Sequence, residues 1–292
     1  MKDTFLDLFK PLQKNQFWLL AIAGGLIAIH LSLSGRRDTD FSHLSMSILA
    51  WGATLSLLAE KRRTLSLESD AFSSMLGLLL IAFVLLRSLL MTSFDSVFDL
   101  LPFIAALGLA MLASGVKRLP QYWQELIVIL ALNLPVSLLV NRIGILSIYT
   151  AKFATFILTY FGVEFHRQGV NIILANGKAV EVAAGCSGWE SIFPLLKLSV
   201  LFLVMFPTKR LATKILVPLV AVAIAFVVNG VRVAIMAILV GYSHPETFKY
   251  WHTGTGSQIF FLTSTLLFAV FCYFVTQNKN LENQEQRELS ES

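Results

Sequence analysis

The chain is 292 residues long, 56% hydrophobic and only 14% charged, with a formal net charge of +5 and a mean hydropathy of +0.72. Soluble domains carry about 25% charged residues, so a water-soluble globular protein is excluded. With 8 Pro and 2 Cys in all, collagen-like, disordered and disulfide-scaffold chains are excluded too. In a membrane protein a basic excess reports orientation loop by loop, not a nucleic-acid footprint.

Apolar blocks near the length of a helix across hydrocarbon fall at 17–34, 44–59, 72–91, 99–115, 125–141, 188–206, 214–234 and 258–275. They predict an all-α polytopic membrane protein of about eight transmembrane helices in one domain, 1–275. Residues 276–292 are polar and read as a disordered cytoplasmic tail. The clearest basic loops are Lys61-Arg62-Arg63, Lys117-Arg118 and Lys209-Arg210 with Lys214. Basic residues stay cytoplasmic. Placing these loops and both termini inside puts 13 of the 23 Lys and Arg there and 8 outside. The first apolar block follows three lysines, but it is long for a signal-peptide core and further spans follow, so it reads as an uncleaved helix.

A ninth apolar stretch, 143–162, carries Ser147, Tyr149, Thr150, Lys152, Thr155, Thr159 and Tyr160. A crossing there would move the later basic loop outside. Its polarity fits an amphipathic helix at the outer surface; the other reading is a true crossing with another span misassigned. The outer loop then continues into two β-prone runs, 170–175 and 178–182, on either side of Asn176-Gly177. An Asn-Gly pair between such runs is a strong hairpin signal, because a type I′ turn needs positive φ twice. A small β-hairpin is therefore expected just before Cys186.

The hairpin leads through Gly185-Cys186-Ser187-Gly188 into the sixth span. Cys186 thus falls at the N-terminal end of a helix, where unpaired N–H groups and the dipole favour a thiolate. Gly185 and Gly188 leave room for a substrate backbone. Asn229-Gly230-Val231-Arg232 interrupts an apolar run, and an ionisable residue there is a functional-site hypothesis. Arg232 lies 18 residues beyond Lys214, about 27 Å along a helix, near the outer boundary. His252 sits in the interfacial run Tyr250-Trp251-His252-Thr253-Gly254-Thr255-Gly256, again at the outer level. His244-Pro245 reads as turn chemistry. Taken singly, Cys186 reads equally as a small helix-start residue, Arg232 as an arginine snorkelling to lipid headgroups, and His252 as an interfacial histidine. Taken together, a Cys, a His and a cation at one depth form a constellation for thiol acyl transfer. Cys272 lies 14 residues into the last span, about 21 Å deeper, so Cys186 is expected to be a free thiol. No metal-ligand spacing, P-loop or dinucleotide fingerprint occurs, so no metal and no cofactor are expected.

The segment Glu181-Val182-Ala183-Ala184-Gly185-Cys186-Ser187-Gly188, then Asn229-Gly230-Val231-Arg232, then His252 ahead of a final helix, resembles the exosortase/archaeosortase family over roughly residues 40–275. The motifs follow one another at 46 and 20 residues, on an eight-span profile. His at the third position sides with bacterial exosortases. The run Trp251 to Gly256 looks like the cyanobacterial branch. Gly185 stands where Ala is common in the family. The resemblance implies a multi-pass cysteine transpeptidase of the bacterial inner membrane, with both termini cytoplasmic and the active site on the extracytoplasmic face. Its implied partners are exported proteins with a C-terminal sorting signal (a Pro-Glu-Pro-type motif, a transmembrane helix and a basic cluster), membrane lipid and an unidentified amine acceptor, with no nucleic acid. The family's catalytic Cys, Arg and His fall on Cys186, Arg232 and His252. Ser187, Asn229 and Gly188 match the motifs as positioning residues, and N–H groups at Ser187–Gly188 are candidates to help Arg232 hold an oxyanion. The rivals on hydropathy alone are a transporter, a non-catalytic envelope export or assembly factor, and a lipid or glycan acyltransferase.

Overall fold

The computed structural model describes residues 15–37, 42–91, 94–135, 144–242, 245–252, 254 and 256–291, with the side chains of 15, 16, 42 and 279–291 left aside. His244 lies outside the described residues. The chain divides into two compact units, 1–139 and 140–292.

The first unit is helical: α1 (Asn15–Arg37), α2 (Ser42–Lys61), α3 (Ala71–Leu89), α4 (Ser96–Ser114) and α5 (Trp123–Asn133), with a 3-10 turn (Val116–Tyr122) before α5. Two of these helices start on an acid. Asp70 accepts from Ser73 N–H at 3.1 Å and Asp95 from Phe98 N–H at 3.1 Å, which satisfies donors that have no partner in the first turn. The core packs Leu26, Trp51, Ile81, Phe98, Leu101 and Ile129. Buried among them, His30 accepts from Trp51 Nε1 at 3.1 Å, and its other nitrogen lies 3.4 Å from Ser34 Oγ. Lys61 Nζ lies 3.1 Å from the buried Glu125 carboxylate, and Arg37 pairs with Asp99.

The second unit holds α6 (Ile145–Tyr160), a three-stranded sheet of β1 (Phe165–Gln168), β2 (Asn171–Leu174) and β3 (Ala179–Glu181), and a 3-10 turn (Ala184–Cys186). It continues with α7 (Trp189–Met205), α8 (Leu211–Gly241), α9 (Pro245–His252) and α10 (Ser257–Glu291). The 31-residue α8, about 46 Å long, is the hub; α6, α7, α9, α10, β2 and β3 all pack on it. Two layers form around it. Val217, Ala221 and Ala225 meet Ile192 and Leu195 of α7 and Phe268 and Cys272 of α10. Nearer its other end, Val233, Ala234 and Ala237 meet Ala151, Ala154 and Leu158 of α6 and Ile172 and Val182 beside the sheet. Gly230 allows the α6 contact, since a Cβ there would lie 2.2 Å from the Phe153 ring.

Among the described residues, five helices are long and apolar enough to cross a membrane: Phe17–Arg37, Ala71–Leu89, Ser96–Ser114, Leu211–Gly241 and Ser257–Asn278. The other expected spans are also helical, but α2 ends on Glu60 and Lys61, α5 has 11 residues and α7 has 17. Residues 136–141 of the expected fifth span lie outside the described residues. The count of eight therefore does not follow from length and hydropathy in the structure.

Three other expectations change. The hairpin is part of a three-stranded antiparallel sheet in the order β1-β2-β3. β1, Phe165-His166-Arg167-Gln168, was missed because its polar residues lack the apolar run by which the other strands were read. The loop between β2 and β3 has three residues, not two. Gly177 N–H donates to Leu174 O at 2.9 Å and Leu174 N–H to Lys178 O at 2.8 Å, with positive φ at Gly177, the commonest three-residue hairpin loop. α10 also continues as helix over 276–291, the residues read as a disordered tail; Leu, Glu and Gln in that run are good helix formers.

α6 lies in the ambiguous stretch 143–162. Its buried face mixes Ser147, Thr150 and Thr155 with Ala151, Ala154 and Leu158, whereas Ile145, Ile148, Tyr149, Lys152 and Phe156 are exposed.

Candidate active site

The cysteine turn is built from side chains that point inward from two helices. Cys186 N–H donates to Ala183 O at 2.9 Å, closing the 3-10 turn. Its carbonyl accepts from Asn229 Nδ2 of α8 at 3.0 Å. The next carbonyl, of Ser187, accepts from Thr150 Oγ1 of α6 at 2.6 Å. Ser187 Oγ bonds back to Ala184 O at 2.5 Å. Gly188 then starts α7 with φ +107°, and a Cβ there would lie 3.0 Å from Asn229 Nδ2. Glycine therefore meets two demands, the left-handed backbone and the close approach of the amide that anchors Cys186. Asn229 is 1% exposed, and its buried amide is satisfied by that carbonyl, as burial requires.

Cys186 Sγ lies 3.5 Å from His252 Nε2. His252 ends α9, and Phe248, one helical turn earlier, stacks on its imidazole with ring centroids 5.0 Å apart and planes 13° apart. Arg232 Nη2 donates to the carbonyl of His252 at 2.8 Å, so the guanidinium fixes the helix end that carries the imidazole. Its Nε–H is buried with no hydrogen-bond partner among the described residues. These groups line a cleft of about 190 Å³. Residues 179–182 of β3, Cys186, Arg232 with apolar neighbours on α8, and Phe248 and His252 of α9 form its walls. Cys186, Arg232 and His252 therefore meet in one cleft, while Ser187, Asn229 and Gly188 lie beneath the cysteine turn. Both cysteines are free thiols, and Cys272 packs in the α7–α8–α10 core, away from the cleft.

The electrostatics correct the expected thiolate. Cys186 lies three residues ahead of Trp189, the first residue of α7, and helix-dipole effects fade within a turn. Burial pushes the thiol above its ordinary value, Arg232 offsets part of that, and the Glu190 carboxylate adds to the rise. For His252, burial and then Arg232 push the imidazole below its ordinary value, and Glu190 opposes them. At neutral pH the pair therefore rests as thiol and uncharged imidazole rather than as thiolate and imidazolium. A second correction concerns the backbone donors. Of the Ser187 and Gly188 donors, Ser187 N–H is committed to Ala184 O at 3.2 Å, and the Arg232 guanidinium lines the cleft as a further donor.

Three contributors were missed. Thr150 was noted only as part of a polar stretch. Glu190 stands at the start of α7 four residues after Cys186, a spacing visible in the sequence. Phe248 precedes His252 by four residues, which puts both on one helical face.

A family profile described as transmembrane exosortase matches residues 14–269. No curated protein and no solved structure matches the chain.

Proposed function

The chain belongs to the transmembrane exosortase family, and from that premise we propose that it is a cysteine peptidase or transpeptidase embedded in the bacterial inner membrane. Its substrates are exported proteins whose C-terminus carries a Pro-Glu-Pro-type motif, a membrane helix and a basic cluster. In this reading the chain has eight spans with both termini cytoplasmic, and its cleft opens on the extracytoplasmic face, where the motif of such a substrate emerges. Anchoring both proteins in one bilayer supplies effective concentration and orientation.

The observation that carries this reading is the 3.5 Å approach of Cys186 Sγ to His252 Nε2 beside a buried, unpaired guanidinium N–H. With its own proton on Nδ1, His252 accepts at Nε2. It takes the thiol proton as sulfur adds to the scissile carbonyl, so no resting thiolate is required. The new oxyanion accepts from Arg232. Collapse breaks the C–N bond, and the imidazolium returns its proton to the leaving amine. The thioester on Cys186 is then attacked by an amine acceptor, or by water, which gives its proton to His252. Expulsion of the sulfur releases the product, and the thiol recovers its proton from the imidazolium. A transporter has no use for a thiol and an imidazole held at this distance.

The test is co-expression with an exported protein bearing such a signal, followed by mass spectrometry of its C-terminus. A new C-terminus at the motif is expected with the wild type and none with Cys186→Ala. Wild-type processing by Cys186→Ala would end this mechanism.

A further inference from the structure

The cleft has one wall of a different kind from the rest. Residues 179, 180, 181 and 182 all line it. Side chains alternate between the faces of a sheet, so four consecutive residues of a strand share one cleft only when it runs along the strand's edge. β3 is an edge strand, paired among the described residues only with β2. The hydrogen-bond pattern says which groups that edge presents. Val182 N–H donates to Val170 O at 3.0 Å and Leu174 N–H to Lys178 O at 2.8 Å. By antiparallel alternation, residues 178, 180 and 182 direct their backbone groups at β2, whereas Ala179 and Glu181 turn N–H and C=O outward. Both residues are exposed. An unpaired row of donors and acceptors is a template for another strand. This one ends five residues before Cys186.

We propose that the edge of β3 is the docking strand for substrate: an extended peptide segment adds to it as a fourth strand, bonding through its main chain to Ala179 and Glu181. This rests on the thiol acyl-transfer reading of the same cleft. The occupant follows from the chemistry. Alternating N–H and C=O groups at strand spacing are matched by another extended backbone, and the edge is continuous with the cleft that holds the sulfur. Drug-sized ligands fill about 300–1,000 Å³, and about 190 Å³ holds little more than a few small side chains. Main-chain bonds along the edge therefore supply the grip that the cleft's volume does not. Every second side chain of the segment then falls towards the apolar α8 wall, where Met236 and Val240 line the cleft. The substrate class is an extended, unstructured segment with small or apolar residues at alternate positions.

The test uses the full-length protein in detergent and two thiol reagents, an acetylated tetra-alanine chloromethyl ketone and iodoacetamide. Alkylation of Cys186 is followed by mass spectrometry. Ala179→Pro and Glu181→Pro each remove one outward N–H and leave the bonds to β2, since those positions do not donate inward. Each variant's rate with the peptide reagent is divided by its own rate with iodoacetamide, which removes any general change in the thiol. That ratio should fall about ten-fold in each variant, the order expected for one lost main-chain bond with its partner left unpaired. Wild-type protein gives a second readout that needs no variant. The peptide reagent is N-methylated at either of two alternating sets of amides. One set should slow alkylation about ten-fold and the other should not. Unchanged ratios in both proline variants, with equal rates for the two methylated reagents, would overturn the docking strand and leave the thiol reading standing. A Cys186 that resists both reagents in the wild type even in alkaline buffer, where a raised thiol ionises, would overturn the thiol reading, and this proposal with it.

Discussion

His30 in the first unit and His252 in the second sit in different surroundings. In the first, His30 has a partner at each nitrogen, Trp51 and Ser34, and the space beside it is about 10 Å³, no more than one water needs. Lys61 meets Glu125 and Arg37 meets Asp99. In the second, Cys186 and His252 meet at the wall of a cleft of about 190 Å³, and Arg232 keeps one buried N–H with no partner among the described residues. An imidazole bonded at both nitrogens in a filled core holds a fold together; one beside open volume and a guanidinium N–H with no partner among the described residues has capacity left for a ligand. The histidines make the point: residue type does not separate His30 from His252, but free capacity and adjacent volume do.

Substitutions can break or sharpen this contrast. The largest effect is expected from Cys186→Ala, which should lower processing of a co-expressed substrate by about a thousand-fold or more without loss of the folded protein, read by immunoblot of the cleaved tag and by thermal unfolding in detergent. Arg232→Lys should cost about a hundred- to a thousand-fold in the same processing assay. An ammonium keeps the charge but cannot hold the His252 carbonyl and an oxyanion with one planar fork. Arg232→Ala should also move Cys186 alkylation to higher pH, because that cation is what lowers the thiol. In the first unit, His30→Leu strands the Trp51 indole N–H and should cost about 1–3 kcal/mol of stability, seen as a lower unfolding midpoint. Its processing rate per folded molecule should stay at the wild-type level; a collapse in that rate would erase the distinction between the units.

Smaller effects test how the turn is held. Thr150→Val removes the bond to the Ser187 carbonyl and leaves that buried acceptor unpaired, so processing should fall about ten-fold while the iodoacetamide reaction still reports a reachable thiol. The smallest expected effect is that of Glu190→Gln. The carboxylate raises the Cys186 thiol, so neutralising it should shift the alkylation profile towards lower pH. A shift towards higher pH would reverse the assigned sign.

The sequence makes much of this legible, for physical reasons. An Arg inside an apolar run and a lone Cys at the start of a helix are costly or reactive, so each stands out from a background of Leu, Val and Phe. Asn176-Gly177 marked the β2–β3 hairpin because few residues accept its backbone. β1 stayed hidden because Phe165-His166-Arg167-Gln168 has no apolar pattern of its own and is held by pairing with β2. The polarity of α6 was visible, but its direction was not. Periodicity cannot say whether Thr150 faces water or the Ser187 carbonyl, because that depends on which helix packs beside it. The ionisation of Cys186 was misjudged for the same reason. The helix start is a local feature, whereas the cleft that buries the thiol also takes in Arg232, Phe248 and His252, more than forty positions away in the chain.

The most direct test of the central claim is a search for the covalent intermediate. Wild-type protein and a tagged substrate are mixed, quenched in acid and digested, and peptides containing Cys186 are examined by mass spectrometry. The account predicts a substrate fragment joined to Cys186 through a thioester that neutral hydroxylamine releases. Accumulation of processed substrate with Cys186 unmodified throughout would contradict it.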